Sequence, residues 1–163
     1  MFLSLVGQNR HVSLPVMFEQ FEKYIKENYS GAKKIVEVGV GHRIDVAIGV
    51  KMRLPGAEVI VTDKDESWIR SRRTRKVKAV VDDITHPRLS IYEGAGLVYS
   101  LHPPVELVPS LVSLARKIRA DLLVVPVMDE QEAFQERNWT KVAREGRTVG
   151  WLMAYKESRV LCE

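Results

Sequence analysis

The sequence predicts a doubly wound α/β domain: a mostly parallel sheet with helices on both faces, completed by a C-terminal antiparallel hairpin. Three observations carry this. Apolar, β-branched runs of five or six residues alternate five times with segments of helical period. The runs are apolar on both faces, as strands covered from both sides must be. The chain has 163 residues and 45% hydrophobic content, enough for one full core and too little length for several.

Each element has a local reason. Ser13 can cap a helix on which Phe18, Phe21 and Ile25 recur at spacings of three and four, and Gly31 ends it. Lys34-Ile-Val-Glu-Val-Gly is the first strand, and a helix over about 43–53 runs up to Pro55-Gly56. Glu58-Val-Ile-Val-Thr-Asp63 is the second strand, a short helix spans about 65–72, and Lys78-Ala-Val-Val-Asp82 is the third strand. Pro87 opens a helical turn to about Tyr92, which Gly94 and Gly96 break. Leu97-Val-Tyr-Ser-Leu101 is the fourth strand, followed by His102-Pro103-Pro104 and a helix over 105–119 with Leu107, Leu111, Leu114 and Ile118 on one face. The fifth strand runs from Asp121 to Val127, and the crossovers between parallel strands are expected to be right-handed. Beyond Asp129 the rhythm weakens. A poor helix over 130–137 precedes two extended runs, Trp139 to Arg144 and Arg147 to Lys156, around Glu145-Gly146, which reads as a hairpin. The expected organisation is one domain: a helical lead-in over 1–32, a β/α core over 33–128 and an extension over 129–163.

Composition narrows the function classes. A lone cysteine, Cys162, rules out a disulfide-built scaffold and makes a reducing cytoplasm the expected compartment. The start lacks the basic region and long apolar core of a signal peptide, and no run approaches the roughly 18 apolar residues of a membrane span. The four histidines, at 11, 42, 86 and 102, are dispersed without metal-ligand spacing, and no metal is expected. Net charge is +4, and Arg70, Arg72, Arg73, Arg75, Lys76 and Lys78 exceed that excess by themselves. Such a run is either a solvated helix end or an attraction for RNA phosphates. Trp139 and Trp151 flank the hairpin as core aromatics or as cover for an edge in a homo-oligomer.

In a doubly wound sheet, ligands bind beyond the carboxyl ends of the strands, where strand order reverses. The first strand ends Glu37-Val38-Gly39-Val40-Gly41-His42, with glycines that permit a tight turn and close approach of a ligand. Ile44 stands where a dinucleotide-binding turn has its third glycine. Glu37 would repel a pyrophosphate and favour an ammonium or sulfonium, and His42 would lie in the pocket. Asp63, 24 residues after Gly39, suits ribose hydroxyls, and Asp82 or Asp83 on the third strand end suits an adenine amino group. Each acid also has a plain reading as a turn or helix cap.

The series Glu37-x-Gly39-x-Gly41, Asp63 and Asp82 resembles the cofactor half of the class I S-adenosylmethionine-dependent methyltransferases over residues 34–101. More closely, Asp82-Asp-Ile-Thr, Tyr92-Glu-Gly-Ala, Leu97-Val-Tyr-Ser-Leu-His-Pro-Pro and Glu106-Leu107 resemble a small archaeal family with a truncated Rossmann-like methyltransferase fold. The resemblance implies S-adenosylmethionine as cofactor, with Glu37, Gly39 and Gly41 at its methionine part, Asp63 at the ribose and Asp82 at the adenine. Methyltransferases that modify amines carry Asn or Asp before the Pro-Pro; His102 stands there instead and becomes the candidate catalytic base. Glu106 is a further candidate for substrate contact. The expected function is an S-adenosylmethionine-binding protein, as a methyltransferase acting on RNA or a small molecule. A nucleotide-binding or degenerate protein without turnover, an NAD-binding oxidoreductase and a structural subunit are the alternatives.

Overall fold

The computed structural model describes residues 14–41, 43–71 and 74–156. Helix α1 (Leu14–Asn28) leads into β1 (Lys34–Val38), α2 (Asp45–Arg53), β2 (Glu58–Asp63), α3 (Glu66–Ser71), β3 (Lys78–Val81), α4 (Leu89–Tyr92) and β4 (Leu97–Leu101). A 3-10 turn (Val105–Leu107) then joins α5 (Val108–Ile118), β5 (Asp121–Val125), a second 3-10 segment (Met128–Phe134), β6 (Thr140–Arg144) and β7 (Arg147–Met153). The cap expected of Ser13 lies outside the described residues.

All seven strands form one sheet in the order β3-β2-β1-β4-β5-β7-β6. Strands β1 to β5 pair in parallel, and β7 runs antiparallel between β5 and β6. The expected hairpin is therefore present. Its turn, Glu145 at φ 51 and Gly146 at φ 73, has the double left-handed geometry that matches the twist of the strands it joins. Gly150 lies so close to β5 that an added Cβ would sit 2.8 Å from the Val124 carbonyl oxygen. Trp139 and Trp151 pack on buried Phe134, edge-on at 4.9 Å and stacked at 6.2 Å, so both serve the core of this chain.

The long helix expected over 105–119 is split. Pro109 has no N–H to donate to the Val105 carbonyl, so the first turn tightens to 3-10 and the α-helix starts at Val108. Likewise β5 stops at Val125 because Pro126 cannot continue the ladder. The sheet separates two apolar cores. Phe18, Phe21 and Ile25 of α1 and Val46, Ala47 and Val50 of α2 cover one face. Leu111, Leu114 and Ala115 of α5, with Tyr92 and Phe134, cover the other. No helix among the described residues is long and apolar enough to cross a membrane.

Candidate functional site

Strand order reverses between β1 and β4, where the crossover from β1 goes one way and that from β3 the other. A cavity of about 360 Å³ opens at the carboxyl ends of these strands. Gly39, Gly41, Asp63, Asp82, Asp83, Ile84, Ser100, His102, Pro103 and Leu111 are among the residues that line it. Gly39, Gly41, Asp63, Asp82 and His102 of the sequence-predicted residues thus converge, and Glu37 does not join them. His42, Arg72 and Arg73 lie outside the described residues.

Beyond β1 the chain turns through Gly39 at φ 72 and Gly41 at φ 54, a region that disfavours any residue with a Cβ. A Cβ on Gly39 would meet nothing within 4 Å, so the turn faces open space that a ligand can fill. The turn's amides point elsewhere. Gly39 and Val40 both donate to the Thr62 carbonyl oxygen, at 2.9 and 3.1 Å, and Gly41 donates to Asp63 Oδ2 at 3.0 Å. The anion-binding N–H groups of a phosphate-cradling turn are therefore committed to β2. Asp45 also occupies the first turn of α2, placing a carboxylate where a phosphate would otherwise be favoured.

Asp63 is the hinge of this arrangement. Its Oδ1 accepts the Asp65 N–H at 2.9 Å while Oδ2 holds Gly41. A carboxylate has about four acceptor positions, so roughly two remain for ligand hydroxyls. Trp68 of α3 forms the neighbouring wall, with its Cζ3 3.4 Å from where a Gly41 Cβ would be. The sequence reading missed Trp68; an aromatic residue five positions after the strand-end acid was the available signal.

The two aspartates after β3 have different environments. Asp82 is only 7% exposed; Oδ2 accepts the Tyr92 hydroxyl at 2.7 Å, and Oδ1 accepts Arg88 N and Nε, both at 3.2 Å. Arg88 also donates to the Val81 carbonyl oxygen, and the Tyr92 hydroxyl lies 3.3 Å from Thr62 Oγ1. Asp83 is exposed, and its Oδ1 accepts both the N–H and the hydroxyl of Thr85, at 2.9 and 2.7 Å. Those two bonds hold its carboxyl below the usual range, so it is ionised at neutral pH.

Glu37 lies behind the turn. Strand alternation sends it, with Ile35, to the face covered by α1 and α2, and it is 1% exposed. Its Oε2 accepts the Tyr99 hydroxyl at 2.8 Å from the opposite position on β4. Burial pushes its pKa up to about 8, so the group is mostly neutral at pH 7. Glu37 is not among the described residues that line the cavity, and a neutral acid gives no charge-based preference between an ammonium and a phosphate.

His102 adopts φ 52, which a residue with a Cβ rarely does, and donates its backbone N–H to the Val125 carbonyl at 2.7 Å. Its ring is 6.2 Å from the Phe18 ring, on which the Arg43 guanidinium stacks at 4.6 Å. Partial burial, then the Arg43 charge, lowers its pKa, so the imidazole is neutral at pH 7. Glu106 is exposed in the 3-10 turn and stands outside the cavity lining.

The described residues of the basic segment after α3 are at the other end of the sheet. Arg75 and Lys76 precede β3, and Lys78 opens it, about 13 Å of strand away from the cavity end. β3 is an edge strand, and exposed lysines on an edge discourage pairing with another chain. Arg70 is paired with Glu66 on its own helix.

The chain belongs to the family described as Uncharacterised protein family (UPF0146), which matches residues 17–149. A family member from Archaeoglobus fulgidus is 44% identical over 66% of this chain and 77% of its own length. Another, from Pyrococcus horikoshii, is 40% identical over 60% and 73%. Among solved structures, a candidate caffeoyl-CoA O-methyltransferase of Staphylococcus aureus matches with a TM-score of 0.60, at 7% identity over 86% of this chain and 83% of that one. TrmN of Thermus thermophilus matches with a TM-score of 0.53, at 13% identity over 86% and 48%. Coclaurine N-methyltransferase, solved with S-adenosylhomocysteine, matches with a TM-score of 0.51 at 13% identity over 72% of this chain, which spans 38% of that enzyme's length. At such identities these likenesses establish the fold, a Rossmann-like methyltransferase fold.

Proposed function

We propose that this protein binds an S-adenosyl compound at the β1/β4 cavity and uses S-adenosylmethionine as a methyl donor to a small molecule. One observation supports this above the others: the glycine turn faces open space while its amides are committed to β2. A pyrophosphate needs those amides, and a dinucleotide reading loses its main contact. A sulfonium does not need them, and Asp63 and Asp83, with Asp82 paired to Arg88, outnumber the Lys64 ammonium among the described lining residues, a balance that opposes a polyphosphate.

The side chains fit this ligand. Gly39 and Gly41 leave room for its aminoacyl arm, Asp63 accepts ribose hydroxyls, and Ile84 and Leu111 offer an apolar slot for the base. Bound there, the cofactor supplies a methyl group on a positively charged sulfur. His102, neutral and at the rim, accepts the proton of the nucleophile whose lone pair forms the new bond to carbon. On transfer, the donor would leave as a neutral thioether that keeps the electron pair of the broken C–S bond. Holding donor and acceptor in line is the larger part of the work, and the fixed corner His102-Pro103-Pro104 serves it. A small acceptor suits the site better than RNA, because Arg75, Lys76 and Lys78 stand at the start of β3, away from the cavity, where Lys64 is the described cation that lines it.

Thermal unfolding with S-adenosylmethionine, S-adenosylhomocysteine, NAD and ATP tests the binding claim. A ligand at 100 times its Kd adds about 2.7 kcal/mol, which is several degrees in a domain of this size. The adenosyl-sulfur compounds should raise the Tm, and NAD and ATP should not. A shift by NAD alone overturns the reading. Transfer of a methyl label from S-adenosylmethionine to a panel of small amines and alcohols then separates an enzyme from a binding protein without turnover.

A further inference from the structure

We propose that the outer face of α5 carries a second binding site, for an amphipathic anion: an apolar chain along the helix with a carboxylate or phosphate head at Arg116. The site stands apart from the β1/β4 cavity and does not depend on what that cavity holds. Leu107 and Leu111 line the cavity, whereas Val108 and Val112, one residue further round, line a separate groove. Two adjoining hollows, of about 610 and 370 Å³, make up this groove, and they share Arg116, Asn138 and Met153.

The two ends of the groove differ in character. Val105, Val108, Pro109, Val112 and Trp139 line the first, and Val105 is 41% exposed. Trp139 is held by edge-on contact with buried Phe134 and stays half-buried, so its remaining surface forms a fixed wall. The other end is cationic. Arg116, Arg137 and Lys156 line the smaller hollow with Thr140 and Tyr155, and no carboxylate stands among its described lining residues. Lys117 lines the larger hollow, where Glu136 is the described acid. None of these four cations has an ion-pair partner among the described residues. Asp121, behind Tyr155, has both oxygens engaged, accepting the Tyr155 N–H and the Tyr29 hydroxyl, each at 2.8 Å.

A helix C-terminus favours basic residues, which accounts for Arg116 and Lys117. It does not account for Arg137 and Lys156, which arrive from the loop before β6 and the segment after β7. Three separate stretches of chain therefore bring like charges to one place, at a repulsive cost that a bound anion reverses. Guanidinium groups match the paired oxygens of a carboxylate or phosphate. From Val108 to Arg116 the helix rises about 12 Å, the length of a chain such as decanoate. Nucleotides fit poorly, because a hydrophilic sugar separates their base from the phosphates and would lie on Val112 and Trp139.

Calorimetric titration and amide mapping of the full chain with decanoate, decyl phosphate, decanol and acetate test the site. Decanoate and decyl phosphate should perturb Val108, Val112, Arg116, Asn138 and the Trp139 indole N–H, and leave Gly39 and Asp83 unmoved. Decanol should bind at least about tenfold more weakly, the scale of one hydrogen bond to a charged group, and acetate should not bind. Octanoate, two methylenes shorter, should bind at least about fourfold more weakly than decanoate, the worth of one fully buried methylene. Arg116→Gln should weaken decanoate by about tenfold and leave decanol unchanged. Lys26→Gln, which removes an equal charge from α1, should change neither. Both side chains are exposed, so each variant without ligand should keep the wild-type Tm. Binding of only one of the two anions supports the site and identifies its head group. Equal affinity for decanol and decanoate, an Arg116→Gln titration identical to the wild type, perturbations in the β1/β4 cavity instead, or no binding by any of the four overturns the proposal.

Discussion

Glu37 should make this protein less stable as the medium becomes more alkaline, and Glu37→Gln should abolish that dependence. The carboxyl is 1% exposed, between β1 and α1, with the Tyr99 hydroxyl as its hydrogen-bond donor. Burial raises its pKa from 4.5 to about 8. In the unfolded chain the group ionises near 4.5; in the folded protein it keeps its proton up to about 8. Below pH 4.5 both states are protonated and the group costs nothing. Between the two values the folded state binds more protons, so stability falls as pH rises. Each pH unit in that interval is worth about 1.4 kcal/mol, giving a loss of about 3 kcal/mol between pH 5 and 8. Glutamine keeps an acceptor for Tyr99 and cannot ionise. Urea unfolding of both proteins at several pH values isolates the effect, since other titrating groups are shared. The variant should gain about 3 kcal/mol on the wild type across that range. Parallel stability curves would refute the reasoning, because they would mean that Glu37 titrates as a solvated carboxylate.

Other perturbations have equally definite outcomes. Tyr92→Phe removes the hydroxyl from buried Asp82 and should cost about 1–3 kcal/mol in urea unfolding, with little effect on the far-ultraviolet spectrum. Gly150→Ala places a methyl group 2.8 Å from the Val124 carbonyl and must push β7 from β5. A cost of about 1–3 kcal/mol is expected, seen as a fall in Tm of several degrees. Gly39→Val should leave a folded protein that no longer responds to S-adenosylhomocysteine in calorimetry, since its side chain would enter the ligand space at a strained φ of 72. His102→Ala should keep that binding and lose methyl transfer, in a labelled-donor assay, by about 10²–10⁴-fold.

How far the sequence revealed this molecule depends on which physical signal each feature uses. The strands and their alternation with helices were legible because burial on both faces writes itself as continuous β-branched runs. The hairpin was legible from Glu145-Gly146, a pair suited to left-handed backbone. The convergence of Gly39, Asp63, Asp82 and His102 followed from topology, since all stand at carboxyl ends of parallel strands. Their individual duties did not follow. A two-sided strand does not announce which face Glu37 takes; that is fixed by register with Tyr99, 62 residues away. Asp82 and Asp83 are told apart by Arg88 and Tyr92, which reach back from the next loop and helix to the first, and by Thr85, which donates to the second. The basic segment carried a usable signal that was easy to pass over. Arg75 and Lys76 precede β3, and in a parallel sheet that places them away from the ligand end.

The central claim is that an S-adenosyl compound occupies the β1/β4 cavity, and amide chemical-shift mapping with S-adenosylhomocysteine tests it most directly. The expected perturbations fall on Gly39 and Gly41, on Asp63 to Trp68, on Asp82 to Thr85 and on His102 with its flanking residues, and NAD at the same concentration produces none of them. Perturbations confined to the α5 groove around Val112 and Arg116, or the same cavity pattern from NAD, would contradict it.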